Sequence, residues 1–89
     1  GYGPYFGSIP EFGRPVKGVR FSGVRAGSPA DHAGVRKGDV LIEFGGLQVQ
    51  NLQDFTVALR RKAPGDIVRF KVRRGTEIVE LKTTLTRRK

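Results

Sequence analysis

Between Ile67 and Arg73 the chain alternates strictly, with Val68, Phe70 and Val72 on one face and Arg69, Lys71 and Arg73 on the other. A period of two puts successive side chains on opposite sides of a pleated strand, so this segment predicts a strand with one buried and one solvated face. Val16–Arg25 alternates less cleanly: Val19, Phe21 and Val24 are set against polar neighbours, and Gly23 breaks the period where a bulge would fit. Val40–Phe44 is a short apolar strand stopped by the tight turn Gly45-Gly46, and Glu77–Leu85 is a last strand after the turn Arg74-Gly75-Thr76.

Elsewhere the apolar period changes to that of a helix. Leu52, Phe55, Thr56 and Leu59 share one face, with Val57 and Ala58 between them; Asn51 is the N-cap, and Asp54 stands three residues on, as in a capping box. Phe55 and Ala58 are assigned to the core. A shorter helix spans Ser28–Ala33, with Ser28 as cap, Pro29 at the first helical position and Gly34 as the left-handed residue past its end. The first fifteen residues hold four glycines and three prolines and read as loop, with one short extended stretch around Phe6–Phe12. The pattern predicts a small α+β fold, a partly open antiparallel β-barrel or sandwich of five to six strands with one short and one long helix.

Composition narrows the picture. At 89 residues and 37% hydrophobic, the chain is expected to form a single domain over residues 1–89, with one modest core and little room for a deep, dry active site. Residues 1–4 read as a leader and residues 87–89 as a tail. The opening Gly1 and the closing Thr86-Arg87-Arg88-Lys89 suggest a piece of a longer protein. There is no cysteine, which removes disulfides, thiolate metal sites and cysteine nucleophiles. No apolar run approaches the roughly 20 residues of a membrane-spanning helix.

The net charge of +9 is uneven: residues 60–89 hold eleven Lys or Arg against three Asp or Glu. Such a half raises nucleic acid or an anionic surface as a partner. Each cation also has a plainer account. Arg69, Lys71 and Arg73 are the polar face of a strand, Arg60, Arg61 and Lys62 complement the dipole at a helix end, and Arg87, Arg88 and Lys89 belong to the tail. No pair of aromatics stands ready on a strand face to stack bases. Nucleic acid is therefore the weaker reading, and steering toward an acidic peptide, an acidic partner domain or anionic lipid the more natural one.

The side chains of catalysis do not converge. His32 is the only histidine and lies in the short helix, as a surface residue. Ser28 is a cap, Ser22 alternates with apolar strand residues, and Ser8 has no base near it in sequence, so no Ser-His-Asp arrangement is expected. No His pair or carboxylate cluster has the spacing of a metal site, and no Gly-Lys-Ser/Thr follows the glycines of a phosphate loop. No catalytic residue, metal, cofactor or small-molecule substrate is expected.

One stretch is far more specific. Residues 26–46, "AGSPADHAGVRKGDVLIEFGG", continuing into "VQNLQDFTVALRRKAPGDIVRFKVRRG", resemble a PDZ domain of the bacterial, permuted type, and the resemblance covers about residues 5–86. More narrowly, "PYFGSIPEF" followed by this core is similar to the PDZ domains appended to bacterial zinc aminopeptidase-like peptidases of the M28 type, and HtrA-like serine proteases carry related domains. The resemblance implies a non-catalytic module that binds an extended peptide or protein C-terminus. An apolar-Gly-apolar loop, here Phe6-Gly7-Ser8, exposes backbone N–H groups to a terminal carboxylate, and the following edge, Ser8–Phe12, takes the peptide as an added strand. It assigns Tyr5, Phe6, Gly7, Ser8 and Ile9 to this wall of the site. Leu52, Thr56 and Leu59 form the helical wall, with Leu59 and Phe6 flanking the pocket for the last side chain and Leu52 near the third-last. It further implies a parent catalytic domain in the same chain and an extracytoplasmic, periplasmic or membrane-associated, place in a bacterium.

Two residues depart from the pattern. Pro10 falls where the edge would donate an N–H to the peptide. Ser8 replaces the usual large apolar residue, leaving the terminal pocket to be lined by Ile9 or Tyr5 and offering a hydroxyl to the carboxylate. Two other readings stand beside peptide capture: docking against the parent catalytic domain with the groove covered, and anion binding through the basic half.

Overall fold

Both helices start at the caps expected of them. Ser28 Oγ accepts from the Asp31 N–H at 3.2 Å, and α1 runs Pro29–Ala33 to Gly34, whose φ of 93° is left-handed. Asn51 Oδ1 accepts from the Asp54 N–H at 2.8 Å and opens α2, Leu52–Arg60. The Asp54 carboxylate accepts in turn from the Gln50 N–H at 2.9 Å, one residue ahead of the partner a capping box would use.

The computed structural model describes residues 3–87. Its strands are β1 Pro4–Tyr5, β2 Ser8–Pro10, β3 Val19–Val24, β4 Val40–Phe44, β5 Leu47–Gln48, β6 Ile67–Arg74, β7 Glu77–Thr84 and β8 Thr86–Arg87. The main sheet is antiparallel in the order β2-β3-β4-β6-β7, with β5 folded back on β4, and β1 pairs with β8. This is the expected α+β class, with a sheet whose edges stay open rather than closing into a barrel. The first predicted strand is trimmed from Val16–Arg25 to β3, and the stretch Phe6–Phe12 to β2. The irregularity falls beside Gly23: Ile9 pairs with Gly23 and Pro10 with Phe21, so Ser22 is the extra residue, and its hydroxyl donates to the Ile9 carbonyl at 3.3 Å. Pro4 and Arg87, read as leader and tail, pair with each other. Gly1, Tyr2, Arg88 and Lys89 lie outside the described residues.

Five of the six phenylalanines build the centre of the core. The Phe6 ring lies 5.1 Å from Phe70, 5.4 Å from Phe44 and 5.8 Å from Phe55, all edge-to-face. Such pairs add about 0.5–1.5 kcal/mol beyond the area they bury. These rings tie the sheet to α2 and fix the distance between β2 and the helix. The sixth, Phe12, is 79% exposed on the loop after β2.

A partly buried ion pair lies at the end of β6. Asp39, 1% exposed, receives Arg74 Nε at 2.9 Å and Nη2 at 2.8 Å, and the Arg36 N–H at 2.9 Å. The same guanidinium donates to the Gly34 carbonyl at 3.0 Å, joining the exit of α1 to the end of β6. Thr83 Oγ1 donates to the Pro29 carbonyl at 2.7 Å and holds α1 on β7.

Candidate functional site

β2 has a sheet partner on one side only, and on its other side a groove separates it from α2. The register decides which of its backbone groups face that groove. The Arg25 N–H donates to the Gly7 carbonyl at 2.9 Å, which makes Ser8 and Val24 a non-hydrogen-bonded pair and turns the Ser8 N–H and C=O outward. Phe21 spends its N–H on the Asp39 carbonyl at 2.9 Å and its C=O on the Gly38 N–H at 2.8 Å, both toward β4. Its partner Pro10 is therefore also turned outward, carrying a carbonyl but no N–H.

The loop ahead of β2 is buried and held through its carbonyls. The Ala30 N–H donates to the Phe6 carbonyl at 2.9 Å, and Arg25 holds that of Gly7 as described. Neither the Phe6 nor the Gly7 N–H donates to another backbone carbonyl among the described residues. Gly7 makes this possible: its φ is 88°, and a Cβ there would lie 2.1 Å from the Cβ of Ser28. Consecutive free N–H groups beside a left-handed residue form a concavity suited to an anion.

The groove encloses about 340 Å³. Ser8 and Pro10 form its strand wall, Leu52, Thr56, Leu59 and Arg60 its helix wall, and Phe55 lies between them. Gly3 and Pro4 complete the lining. The volume is at the lower end for a ligand pocket, enough for a few side chains of an extended segment. The Thr56 hydroxyl donates to the Leu52 carbonyl at 3.0 Å, so toward the groove it can only accept.

The structure brings Ser8, Leu52, Thr56 and Leu59 together on this groove, and Gly7 into the loop beside it. The Phe6 side chain, expected on the flank of the terminal pocket, is 2% exposed at the centre of the core, where the rings of Phe21, Phe44, Phe55 and Phe70 surround it, and it does not line the groove. Tyr5 lines a separate cavity of about 500 Å³ with Ser28, Pro29 and Thr86. Ile9, between the two outward residues of β2, does not line the groove. Pro4 and Arg60 were not among the expected lining residues. Arg60 was legible in the spacing of four that links Leu52, Thr56 and Arg60, although the helix dipole accounts for a cation there equally well.

The basic half is spread over the sheet. Arg69 pairs loosely with Glu80 at 3.9 Å and Lys71 with Glu43 at 3.8 Å, both exposed and each worth at most about 1 kcal/mol. The exposed Phe12 belongs to the β2–β3 loop.

Known proteins can be set beside this geometry. Among solved structures, an HtrA-type protease, AlgW, with a decapeptide superposes with a TM-score of 0.90 at 19% identity, covering 99% of this chain and 30% of that one. An aminopeptidase N family protein from Idiomarina loihiensis gives a TM-score of 0.73 at 30% identity over 94% of this chain and 13% of its own. A probable periplasmic serine endoprotease, DegP-like, from Chlamydia muridarum is 35% identical over 71 residues, which are 80% of this chain and 14% of the relative. The mitochondrial serine protease HTRA2 of Bos taurus is 36% identical over 75 residues, 84% of this chain and 16% of that protein. The chain thus spans about a seventh of the length of these curated proteases. With residues 10–85 matching the family model as well, the chain belongs to the PDZ domain family.

Proposed function

We propose that this domain is a non-catalytic peptide-capture module. An extended peptide with a free C-terminus adds as a strand to the outer side of β2, between β2 and α2. Its terminal carboxylate accepts from the N–H groups of Phe6, Gly7 and Ser8, and its last side chain enters the groove between Ser8, Phe55 and Leu59. The carrying observation is that the Phe6 and Gly7 N–H groups have no backbone acceptor while the carbonyls beside them are fixed. Edge addition of this kind takes its affinity from main-chain bonds and its specificity from the alternate side chains.

With the Ser8 N–H given to the carboxylate, Ser8 and Pro10 each supply a carbonyl to the added strand. With one donor missing and a groove of about 340 Å³, binding is weak and loosely specified. The relatives' names support a place beside a protease or peptidase catalytic domain in one chain, where the module presents or senses substrate termini. They also support an extracytoplasmic location in a bacterium. The domain itself needs no cofactor.

The test is an NMR titration of the isotope-labelled domain with two peptides of one sequence ending in valine, one a free acid and one an amide. The free acid is expected to shift the amides of Phe6, Gly7, Ser8 and the Leu52–Leu59 face, and the amide to do so far more weakly. Equal binding would make the groove a site for internal segments. No binding of either would leave docking against a catalytic domain as the better reading, and shifts confined to Arg60–Arg74 on adding a nucleic-acid duplex would move the site to the basic half.

A further inference from the structure

Among the described residues, Arg60 is the only ionisable side chain that lines the groove. It follows Leu59 and stands four residues after Thr56, so it extends the helix wall by one turn. It is exposed, and among the described residues it makes no salt bridge. The carboxylates that might have neutralised it are committed elsewhere. Asp31, Asp54 and Asp66 accept from the backbone N–H groups of Gly27, Gln50 and Ala63. Asp39 is held by Arg74, and Glu11, Glu43 and Glu80 pair with Arg20, Lys71 and Arg69. The last of the eight acids, Glu77, faces Arg74 across the β6–β7 ladder. A guanidinium on the wall of a half-apolar groove, with no acid of its own, is available to a ligand.

We propose that Arg60 is a specificity-determining residue of the groove that recognises a carboxylate on the bound peptide. This rests on the peptide-capture reading above. The chemistry is that of an Arg–carboxylate pair, which adds charge-assisted donors to those of the loop N–H groups. Two carboxylates are within the same chemistry: the C-terminal one, and that of an acidic side chain near the terminus. Arg61, the neighbouring cation at the helix end, does not line the groove and supplies the control for net charge.

The experiment measures dissociation constants by NMR titration for the wild type, Arg60→Gln, Arg60→Lys and Arg61→Gln. The probes are three peptides of one sequence, ending in Gln-Val as the free acid, Gln-Val as the amide, and Glu-Val as the free acid. For an exposed pair the expected loss on Arg60→Gln is roughly two- to fivefold, with Arg60→Lys intermediate and Arg61→Gln near wild type. If Arg60→Gln narrows the gap between free acid and amide, the terminal carboxylate is the partner. If it erases a preference for Glu-Val over Gln-Val and leaves that gap alone, the side-chain carboxylate is. If Arg60→Gln and Arg61→Gln behave alike, the inference is overturned while peptide capture stands. If the wild type binds none of the three, peptide capture fails, and the inference with it.

Discussion

Gly7 is where the fold and the site meet, and replacing it with alanine separates two costs. The first is backbone: at φ 88° an alanine sits in the left-handed region, at a cost of about 1–2 kcal/mol, partly offset by about 0.4–1 kcal/mol from a stiffer unfolded chain. The second is collision. The new Cβ would lie 2.1 Å from Ser28 Cβ and 2.5 Å from its Oγ, and Ser28 is the buried cap of α1, so the strand or the helix must move. Forced repacking of this kind costs about 1–3 kcal/mol. The sum is about 1–5 kcal/mol, or roughly 5 °C or more in Tm for a domain of this size. Gly27 supplies the control, with φ 76° and no atom within 4 Å of its built Cβ, so Gly27→Ala carries the backbone cost alone. The chain has no tryptophan, so urea unfolding is followed by far-UV circular dichroism. Gly7→Ala is expected to exceed Gly27→Ala by at least about 1 kcal/mol. In a Ser28→Gly background, which removes both colliding atoms and weakens the cap by only a few tenths of a kcal/mol, most of that excess should vanish. If the two alanine variants agree within about 0.5 kcal/mol, the close packing of loop on cap described above is wrong.

Three other perturbations test the core, the ion pair and the edge. Phe6→Ala should cost about 3–5 kcal/mol in urea unfolding; a value near zero with weakened peptide binding would return Phe6 to the groove wall. Burial pushes the Asp39 carboxyl up, but the Arg74 hydrogen bonds, the Arg36 N–H and the charge of both cations outweigh it and hold it below the ordinary 3.8. Its contribution is therefore complete above that value and lost as pH falls through the lower folded one. Arg74→Met should destabilise by about 2–4 kcal/mol at neutral pH by leaving Asp39 buried and charged, with the deficit shrinking as pH falls below 3.8; a pH-independent deficit would contradict this account. Pro10→Ala restores an outward N–H and should tighten peptide binding roughly two- to tenfold, whereas unchanged affinity would mean that the peptide does not pair there.

The elements that local chemistry specifies were legible in the sequence. The alternation of Val68, Phe70 and Val72 marked β6, and Ser28, Gly34 and Asn51 marked helix ends, because each acts on atoms a few residues away. The pairing of Pro4–Tyr5 with Thr86–Arg87 was not, since two-residue strands carry no period and their partners are at opposite ends of the chain. The burial of Phe6 was not legible for a related reason: a single apolar residue in a loop has no repeat to show which way it faces, and its burial depends on Phe21, Phe44, Phe55 and Phe70 arriving from four other elements. Arg60 was placed on the groove face by its spacing, but its role was not legible, because two explanations, helix dipole and ligand contact, predict the same residue type. Of the groove, the helix wall was readable from its spacing, while the outward turn of Pro10 could be expected only through resemblance and was fixed by register.

The short β1–β8 ladder gives the domain a direction of mechanical weakness. Pro4 and Arg87 are paired at the same end of that ladder, so tension drawing the two apart peels it pair by pair instead of shearing all its bonds together. After Pro4–Arg87 and Tyr5–Thr86 have separated, the next residue under load on the N-terminal side is Phe6, whose carbonyl is bound to α1. Strain entering through Pro4 thus reaches the loop of Phe6 and Gly7 within two residues, and a peptide seated as proposed would brace the part of the molecule that comes under load once the ladder has opened.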